Sequence, residues 1–597
     1  MLPDQPAVDK EFDYVVPAGV AVQVGDVVRI PLHGRHVGGW VTAVDVESDP
    51  ALTLRMVRKV SGRGPSADIL DLAGWAAWRW AGRRAQLLRT AAPGAVVRDL
   101  PAPAPHAPAT PTGSDWLEKS LDLPCGVLRL APGADRYAVV RAAVGRPSPV
   151  AGGRTLVLCP SVGEAVRLGE RLRRGGVAVA VLAGSGAPAA EDAHAWAAAA
   201  AGSVVVGARA AAWAPVGPLG RVVVLDEHDE RYQQEQAPTW HARDVVMERA
   251  RRAGAPCLLV SPTPTLEALT WGELVTTDRS TERRGWPPVV VIDQRDGDPQ
   301  LGPLFSEDLV RALHGPGRVV CVLNRTGRVR LLACGSCRSI ARCDVCDAAV
   351  VIDELPEGVS ALTCPRCSTQ RPTVCLVCGG ARFANLRLGV SRAREELAAL
   401  VREPVGEVTA QSGPVGDERI LIGTEAVLHR STGADVVAFL DMDQHLLAPR
   451  YRSGEEALSL LARAARLVAR GGGAGRSRSG GRGRVLVQTR HPDHPSLQSA
   501  VRADPSLLAE ADAAVRAAVG LPPFRALAVV SGAGAPSFID ELHALVAADG
   551  APGLEIIGPV EGRWRLRAPD HRALCDPLAA VRRPAARMRI EVDPLHA

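Results

Sequence analysis

Eight cysteines between positions 334 and 378 form four CxxC pairs: Cys334/Cys337, Cys343/Cys346, Cys364/Cys367 and Cys375/Cys378. A CxxC turn presents two thiolates to one ion, and two such turns complete a tetrahedral all-sulfur site with zinc–sulfur bonds of about 2.3 Å. Eight ligands therefore make two zinc sites. With four thiolates on each ion no coordination position stays open, so the expected role is structural and no water is activated. A redox CxxC is conceivable once but not four times in tandem. Iron–sulfur ligation is the alternative that soft sulfur ligands allow. Spacing alone leaves three ways to pair four knuckles. The other five cysteines (Cys125, Cys159, Cys257, Cys321 and Cys575) lie mostly in apolar surroundings and read as small core residues. In a cytosolic chain none is expected in a disulfide.

Phosphate chemistry is harder to place. A nucleotide-driven motor needs GxxxxGK[ST], whose amides cradle the phosphates and whose lysine neutralises them. Of 70 basic residues only Lys10, Lys59 and Lys119 are lysine. The segment Gly113–Ser120 has the spacing, with Glu118 where the second glycine belongs. It follows a Pro-rich run instead of a strand and brings two carboxylates to the phosphate position, so it reads as a helix start with Ser114 as cap. The arginine bias itself follows from a GC-rich coding sequence, in keeping with abundant Ala, Gly, Val and Pro. A net charge of +5 is too small to establish a polyanionic partner.

The elements that must carry these groups can be read along the chain. At 597 residues at least three domains are expected. No apolar run of membrane-spanning length and no signal sequence is read, which predicts a cytoplasmic protein with no membrane partner. Residues 1–100 begin as short strands (VQVGDVVRIPL, HVGGWVTAV) and continue as a Trp-rich helical stretch. Residues 101–120 form a Pro/Ala linker. From 121 to 280 short apolar strands alternate with helical segments, the rhythm of a helix-covered parallel sheet. A second such region spans 281–330 and 383–495, interrupted by the cysteine insert 331–382, and 496–597 read as a separate α+β domain. The fold class is α/β, multidomain.

Taken in order, several strings resemble the PriA family of bacterial replication-restart helicases. The cysteine block is flanked by LNRTG (323–327) and by GVSRAREEL and ILIGTEA (420–426), which matches the family's zinc insert in its second motor lobe. EFDYVVPAGVAVQVGDVVRIPLHGR resembles the amino-terminal DNA-binding domain, HDERYQQEQAPTWHARDV (228–245) the aromatic-rich loop, and SPTPTLEAL (261–269) the third helicase motif. QTRHPDHP, GLPPF and LEIIGPVEGRWRLR follow the carboxy-terminal segments, so the likeness covers nearly the whole chain. It implies two RecA-like lobes and nested zinc pairing: Cys334, Cys337, Cys375 and Cys378 for one ion, Cys343, Cys346, Cys364 and Cys367 for the other. It also implies that Phe12, Asp13, Tyr14, Gly34 and Arg55 hold the 3′ end of a strand at a fork. For Tyr232, Trp240 and His241 two roles stand open, stacking on single-stranded DNA or packing within the first lobe.

The sequence departs from the family where ATP is used. The loop after the first strand reads Ala131-Pro132-Gly133-Ala134-Asp135-Arg136, with no lysine and no Ser or Thr for magnesium. The family's DEEH aligns with Leu225-Asp226-Glu227-His228, and its QVAGRAGR is replaced near LVARGGGAGR (467–476). Only the linker is available where the family places a winged helix. No catalytic residue is therefore assigned, and ATP is in doubt as a cofactor beside two zinc ions. The expected protein recognises abandoned forks and promotes primosome assembly and reloading of the replicative helicase, without helicase activity of its own. Its expected partners are forked DNA with a 3′ end, single-stranded DNA, primosome proteins, the replicative helicase and single-stranded DNA-binding protein. The Arg/Gly run 470–484 is read either as a solvated insert or as an arm on DNA phosphates. Two alternatives stand against this reading: an active ATP-dependent 3′–5′ helicase in which Arg136 replaces the lysine, and a zinc-ribbon RNA-binding regulator.

Overall fold

The computed structural model describes residues 1–5, 8–109, 113–184, 187–295, 304–323, 332–337, 339–354, 360–385, 390–471 and 483–596. Most of LNRTG, Gly389 and the Arg/Gly run from 472 to 482 lie outside the described residues. The chain forms two compact units. One is Met1–Leu128 with Asp135–Thr276 and Val519–Leu595; the other is Arg129–Ala134 with Thr277–Ala518 and His596–Ala597. Among the described residues no helix is long and apolar enough to cross a membrane.

The first unit begins with strands β1 (Leu2–Pro3), β2 (Tyr14–Val15), β3 (Val27–Leu32), β4 (Arg35–Trp40), β5 (Arg55–Met56) and β6 (Lys59–Gly62). They form a four-stranded sheet in the order β1-β4-β3-β6 and a separate β2–β5 pair. Alternation sets the faces: Val28 and Ile30 of β3 are fully buried, whereas Arg29 between them is exposed. Helix α1 (Ala67–Arg79) buries Ile69, Leu72, Ala73 and Ala76, a helical stripe, and packs against α2 (Arg84–Ala91).

Next come β7 (Cys125–Arg129), β8 (Arg154–Leu158), β9 (Val179–Leu182), β10 (Val204–Gly207), β11 (Leu219–Leu225), β12 (Cys257–Ser261) and β13 (Glu273–Thr276). They form one sheet in the order β13-β7-β12-β11-β8-β10-β9, and strands β8 to β12 pair in parallel. Every residue of β10, β11 and β12 is buried, because helices cover both faces. The expected linker is not a free spacer. Ala104 donates its N–H to the Ala201 carbonyl (2.9 Å), and Arg154 donates to the Ala104 and Pro105 carbonyls (2.8 and 3.1 Å), which straps the segment to this lobe.

In the second unit β14 (Val289–Asp293) and β15 (Val319–Val322) precede the cysteine insert. The insert carries β16 (Leu332–Cys334), β17 (Val351–Glu354), β18 (Ser360–Thr363), β19 (Gln370–Pro372) and β20 (Phe383–Asn385) in two small antiparallel sheets. After it β21 (Val405–Val408), β22 (Ile420–Gly423), β23 (Val436–Phe439) and β24 (Arg484–Thr489) complete an all-parallel sheet, β14-β24-β23-β15-β22-β21. The boundary expected at 496 moves to 519. Leu497 and Ala500 of helix Pro495–Arg502, with Leu508, are buried in the core of this unit beside Leu458 and Leu461.

The remaining strands β25 (Ala526–Ser531), β26 (Glu555–Val560), β27 (Arg563–Ala568) and β28 (Arg589–Val592) make an antiparallel sheet belonging to the first unit. Phe538 and Leu566 share a continuous core with Trp80 and Tyr232. Asp593 fixes this arrangement: it pairs with the buried Arg79 of α1 and with His571 (3.0 Å), and these two partners hold its carboxyl well below the usual range against the cost of burial.

Candidate metal centres and nucleic-acid interface

The insert brings its eight cysteines together as two groups of four. The sulfurs of Cys334, Cys337, Cys375 and Cys378 lie within 4.8 Å of one another, as do those of Cys343, Cys346, Cys364 and Cys367. Nearest approaches run from 3.4 to 3.6 Å, close to the roughly 3.8 Å edge of a tetrahedron built on 2.3 Å bonds.

The knuckles explain how the sequence makes this geometry. Asp347, Ser368 and Gly379 each follow the first cysteine of a pair by four residues and adopt positive φ (60°, 61° and 73°). Each returns its N–H to that cysteine's carbonyl (3.1, 2.9 and 2.9 Å), which curls the turn around the sulfurs. Backbone amides of Ser336 and Val345 point at the sulfurs of Cys334 and Cys343 (3.4 Å each), donors that favour thiolate. Two supporting groups were missed in the sequence. Ser339 and Thr369 place their hydroxyls 3.1 Å from the sulfurs of Cys337 and Cys367, two residues downstream of each CxxC. The Ser339 hydrogen bond pulls the Cys337 thiol down to about 6. These four-sulfur groups can each hold a metal ion, and soft thiolates in tetrahedral array are the donor set zinc takes.

At the amino terminus, Tyr14 pairs with Arg55 in the parallel β2–β5 bridge. The Tyr14 hydroxyl donates to the Pro31 carbonyl (3.1 Å) near the tip of the β3–β4 hairpin. Partial burial pushes that hydroxyl above its usual value, while the Arg55 charge pulls the other way. Phe12 is tied to Met1 by two backbone-type bonds of 2.9 Å, and Asp13 accepts from the Ser48 hydroxyl at 3.0 Å. Gly34 sits at the hairpin tip with φ 78°, and a side chain built there meets nothing within 4 Å. Only the backbone conformation therefore asks for glycine, and the tip is open to a ligand. The hydrogen bond and strand pairing place Tyr14 with Arg55 and the hairpin; Phe12 and Asp13 precede it on the same segment.

The loop where a nucleotide would sit does not fit one. The Gly133 N–H donates to the Gly285 carbonyl and the Ala134 N–H to that of Ala131 (3.0 Å each), so these amides are already used. Asp135 spends its carboxylate on the Tyr137 N–H (2.9 Å), closing the start of helix Arg136–Gly145. The Arg136 guanidinium pairs with Asp226 and with Glu164 (3.3 Å), and Asp226 itself has φ 50° and is 2 % exposed. Neighbouring Glu227 is also internal: it accepts from the Thr265 N–H and hydroxyl (2.8 and 3.0 Å) and from Arg243 (3.0 Å). His228 lies 2.7 Å from the Ser261 hydroxyl. The motif remnants hold one another.

Two aromatic side chains of the 228–245 segment are core. Tyr232 is fully buried and donates to the Leu225 carbonyl (2.6 Å), and Trp240 packs edge-to-face on Trp213 with ring centroids 5.6 Å apart. Of the two roles left open for Tyr232 and Trp240, packing is the one observed.

With this geometry in hand, comparison with known proteins is informative. Residues 2–93 match the family model described as the 3′DNA-binding domain. The chain is 30% identical to a probable replication restart protein PriA of Mycobacterium leprae, over 99% of both chains. A probable replication restart protein PriA of Mycobacterium tuberculosis is 30% identical, covering 93% of this chain and 89% of that one. The replication restart protein PriA of Haemophilus influenzae is 27% identical, over 70% of this chain and 60% of the relative.

Proposed function

Because the chain belongs to the PriA family of replication restart proteins, we propose that it recognises stalled or abandoned forks through a strand 3′ end and promotes primosome assembly without unwinding DNA itself. Phe12, Asp13, Tyr14, Gly34 and Arg55 form the end site in this reading. An aromatic ring stacks on the terminal base, Asp13 meets the terminal hydroxyl, and the glycine tip admits the backbone. The zinc ions are structural, one on Cys334, Cys337, Cys375 and Cys378 and one on Cys343, Cys346, Cys364 and Cys367. The insert they stabilise offers a surface to primosome proteins, the replicative helicase or single-stranded DNA-binding protein. Such a role is carried out in the cytoplasm, where chromosomal forks are.

The observation that carries the motor-independent part is the pairing of Arg136 with Asp226 and Glu164. A protein side chain already supplies the positive charge that a nucleotide site takes from lysine and magnesium. Arginine's planar fork, fixed on two carboxylates, is also a poor substitute for a P-loop lysine. The test is ATP hydrolysis by the purified chain with and without a gapped fork carrying a free 3′ end, with fork binding recorded in the same tubes. Tight binding with no hydrolysis is expected. Fork-stimulated hydrolysis by the parent chain, with strand displacement in the same tubes, would instead establish an active helicase.

A further inference from the structure

The amino-terminal domain carries an exposed basic row on its four-stranded sheet. Three of its acids pair with α2: Arg89 with Asp4, and Arg84 with Asp9 (3.4 Å) and Glu11 (2.6 Å). One face of that sheet changes character from row to row. One cross-strand row runs Leu2, Trp40, Val27 and is buried or partly buried against the helices. In the next row Arg29 stands directly between Gly38 on β4 and Lys59 on β6. Arg29 and Lys59 are both exposed, and neither has a carboxylate partner among the described residues. His36, opposite Pro31, continues the same face, and Arg35, Arg55 and Arg58 are exposed on the adjoining hairpin and strand.

Two cations directly opposite across an antiparallel pair destabilise the sheet. Here the cost is not relieved from within, although the acids that could relieve it lie in the same domain. One of only three lysines in the chain is spent on this row. Arg55 of the Tyr14–Arg55 pair precedes Lys59 by four residues on the same chain segment, with no turn between them.

We propose that this face, centred on Arg29 and Lys59, is a phosphate track. It would hold the sugar–phosphate backbone of the strand whose 3′ terminus occupies the end site, running on the Lys59 side of Arg29, because the Asp4 side chain fills the space over Gly38. This rests on the reading of the domain as an end-binding module, but it assigns a separate contact: the end site reads the terminus, the track reads charge.

The test uses the full chain and fluorescence anisotropy with two probes, a dinucleotide and a single strand of about twelve nucleotides, each with a free or a phosphorylated 3′ hydroxyl. For Arg29→Ala/Lys59→Ala the longer strand is expected to bind about tenfold more weakly, with its salt slope shallower by about 1.4, the value for two lost single-strand phosphate contacts. Dinucleotide binding and the preference for a free 3′ hydroxyl are expected to persist. Arg29→Glu supplies a check on folding, because it places opposite charges across β3–β6. Its melting temperature should equal or exceed that of the parent while its affinity for the longer strand falls. Unchanged affinity and salt slope in both variants would overturn the track. Loss of preference for the free hydroxyl in the parent protein would instead overturn the end site and leave the track standing.

Discussion

The Ala349 amide donates to the Leu447 carbonyl across 3.0 Å, and this bond joins the cysteine insert to the second parallel-sheet unit. Ala349 is fully buried and Ile340 is 7 % exposed, both in the core that contains Leu446, Leu447 and Leu461. These two residues flank the Cys343/Cys346 knuckle. The four-sulfur group of Cys343, Cys346, Cys364 and Cys367 therefore shapes a segment that the unit's core requires, whereas Cys375 and Cys378 of the other group lie among exposed Val374, Leu376 and Val377.

Metal removal should thus be asymmetric. Cys364→Ser is expected to lower stability by about 2–3 kcal/mol, roughly 5–10 °C in melting temperature, and Cys378→Ser by less than half of that. Differential scanning fluorimetry with bound zinc counted per chain checks this; equal losses would mean the insert folds as one indivisible piece.

Removing the Arg136 guanidinium takes away a positive charge that pairs with the buried Asp226 carboxylate. Arg136→Ala is expected to cost about 3–5 kcal/mol in urea unfolding, the usual penalty for breaking a buried pair from one side. Arg136→Met combined with Asp226→Leu should recover most of it, because neither charge is then buried. A double variant as unstable as the single one would show that the pair is not what Arg136 is for.

Stability should fall in mild acid. Burial holds the His445 imidazole down to about 4, and its Nε2 is buried with no hydrogen-bond partner among the described residues. Because the folded value is depressed below the unfolded one near 6.5, the neutral ring's contribution is full above pH 6.5 and is lost as pH falls toward 4. At pH 5 the expected loss is about 2 kcal/mol. His445→Asn should flatten the unfolding free energy between pH 7 and 5; an unchanged slope would assign the acid sensitivity elsewhere.

Tyr232→Phe deletes only the hydroxyl that donates to Leu225 and keeps the ring. An expected loss of about 1 kcal/mol in stability should come with unchanged affinity for forked DNA in a gel-shift titration. A tenfold loss of fork affinity with stability intact would return the aromatic segment to the DNA surface.

Much of this protein was legible along the chain because the signals are local. Four CxxC turns specify metal ligands by spacing, and all-apolar runs such as VVVG and RVVVL specify buried parallel strands. The loop after the first strand of the first lobe holds no lysine, and Leu225 stands where the resemblance puts the first DEEH carboxylate. The strapped linker was not legible, since proline-rich composition speaks of stiffness and says nothing of docking. Nor was the fate of Tyr232 and Trp240: an aromatic ring stacks on a base or in a core with the same chemistry, and only the surrounding elements decide which.

The sequence by itself determined the ligand types, the strand and helix rhythm, and the lack of a lysine in the loop after the first strand of the first lobe, because each depends on residues close together in the chain. Tertiary structure decided which knuckles meet: Cys334 with Cys378, and Cys343 with Cys367. It also decided that Arg136 pairs with Asp226, and that Arg29 faces Lys59 directly across β3–β6. Those relations depend on how distant segments pack and pair, and packing distances are not written in the order of the residues.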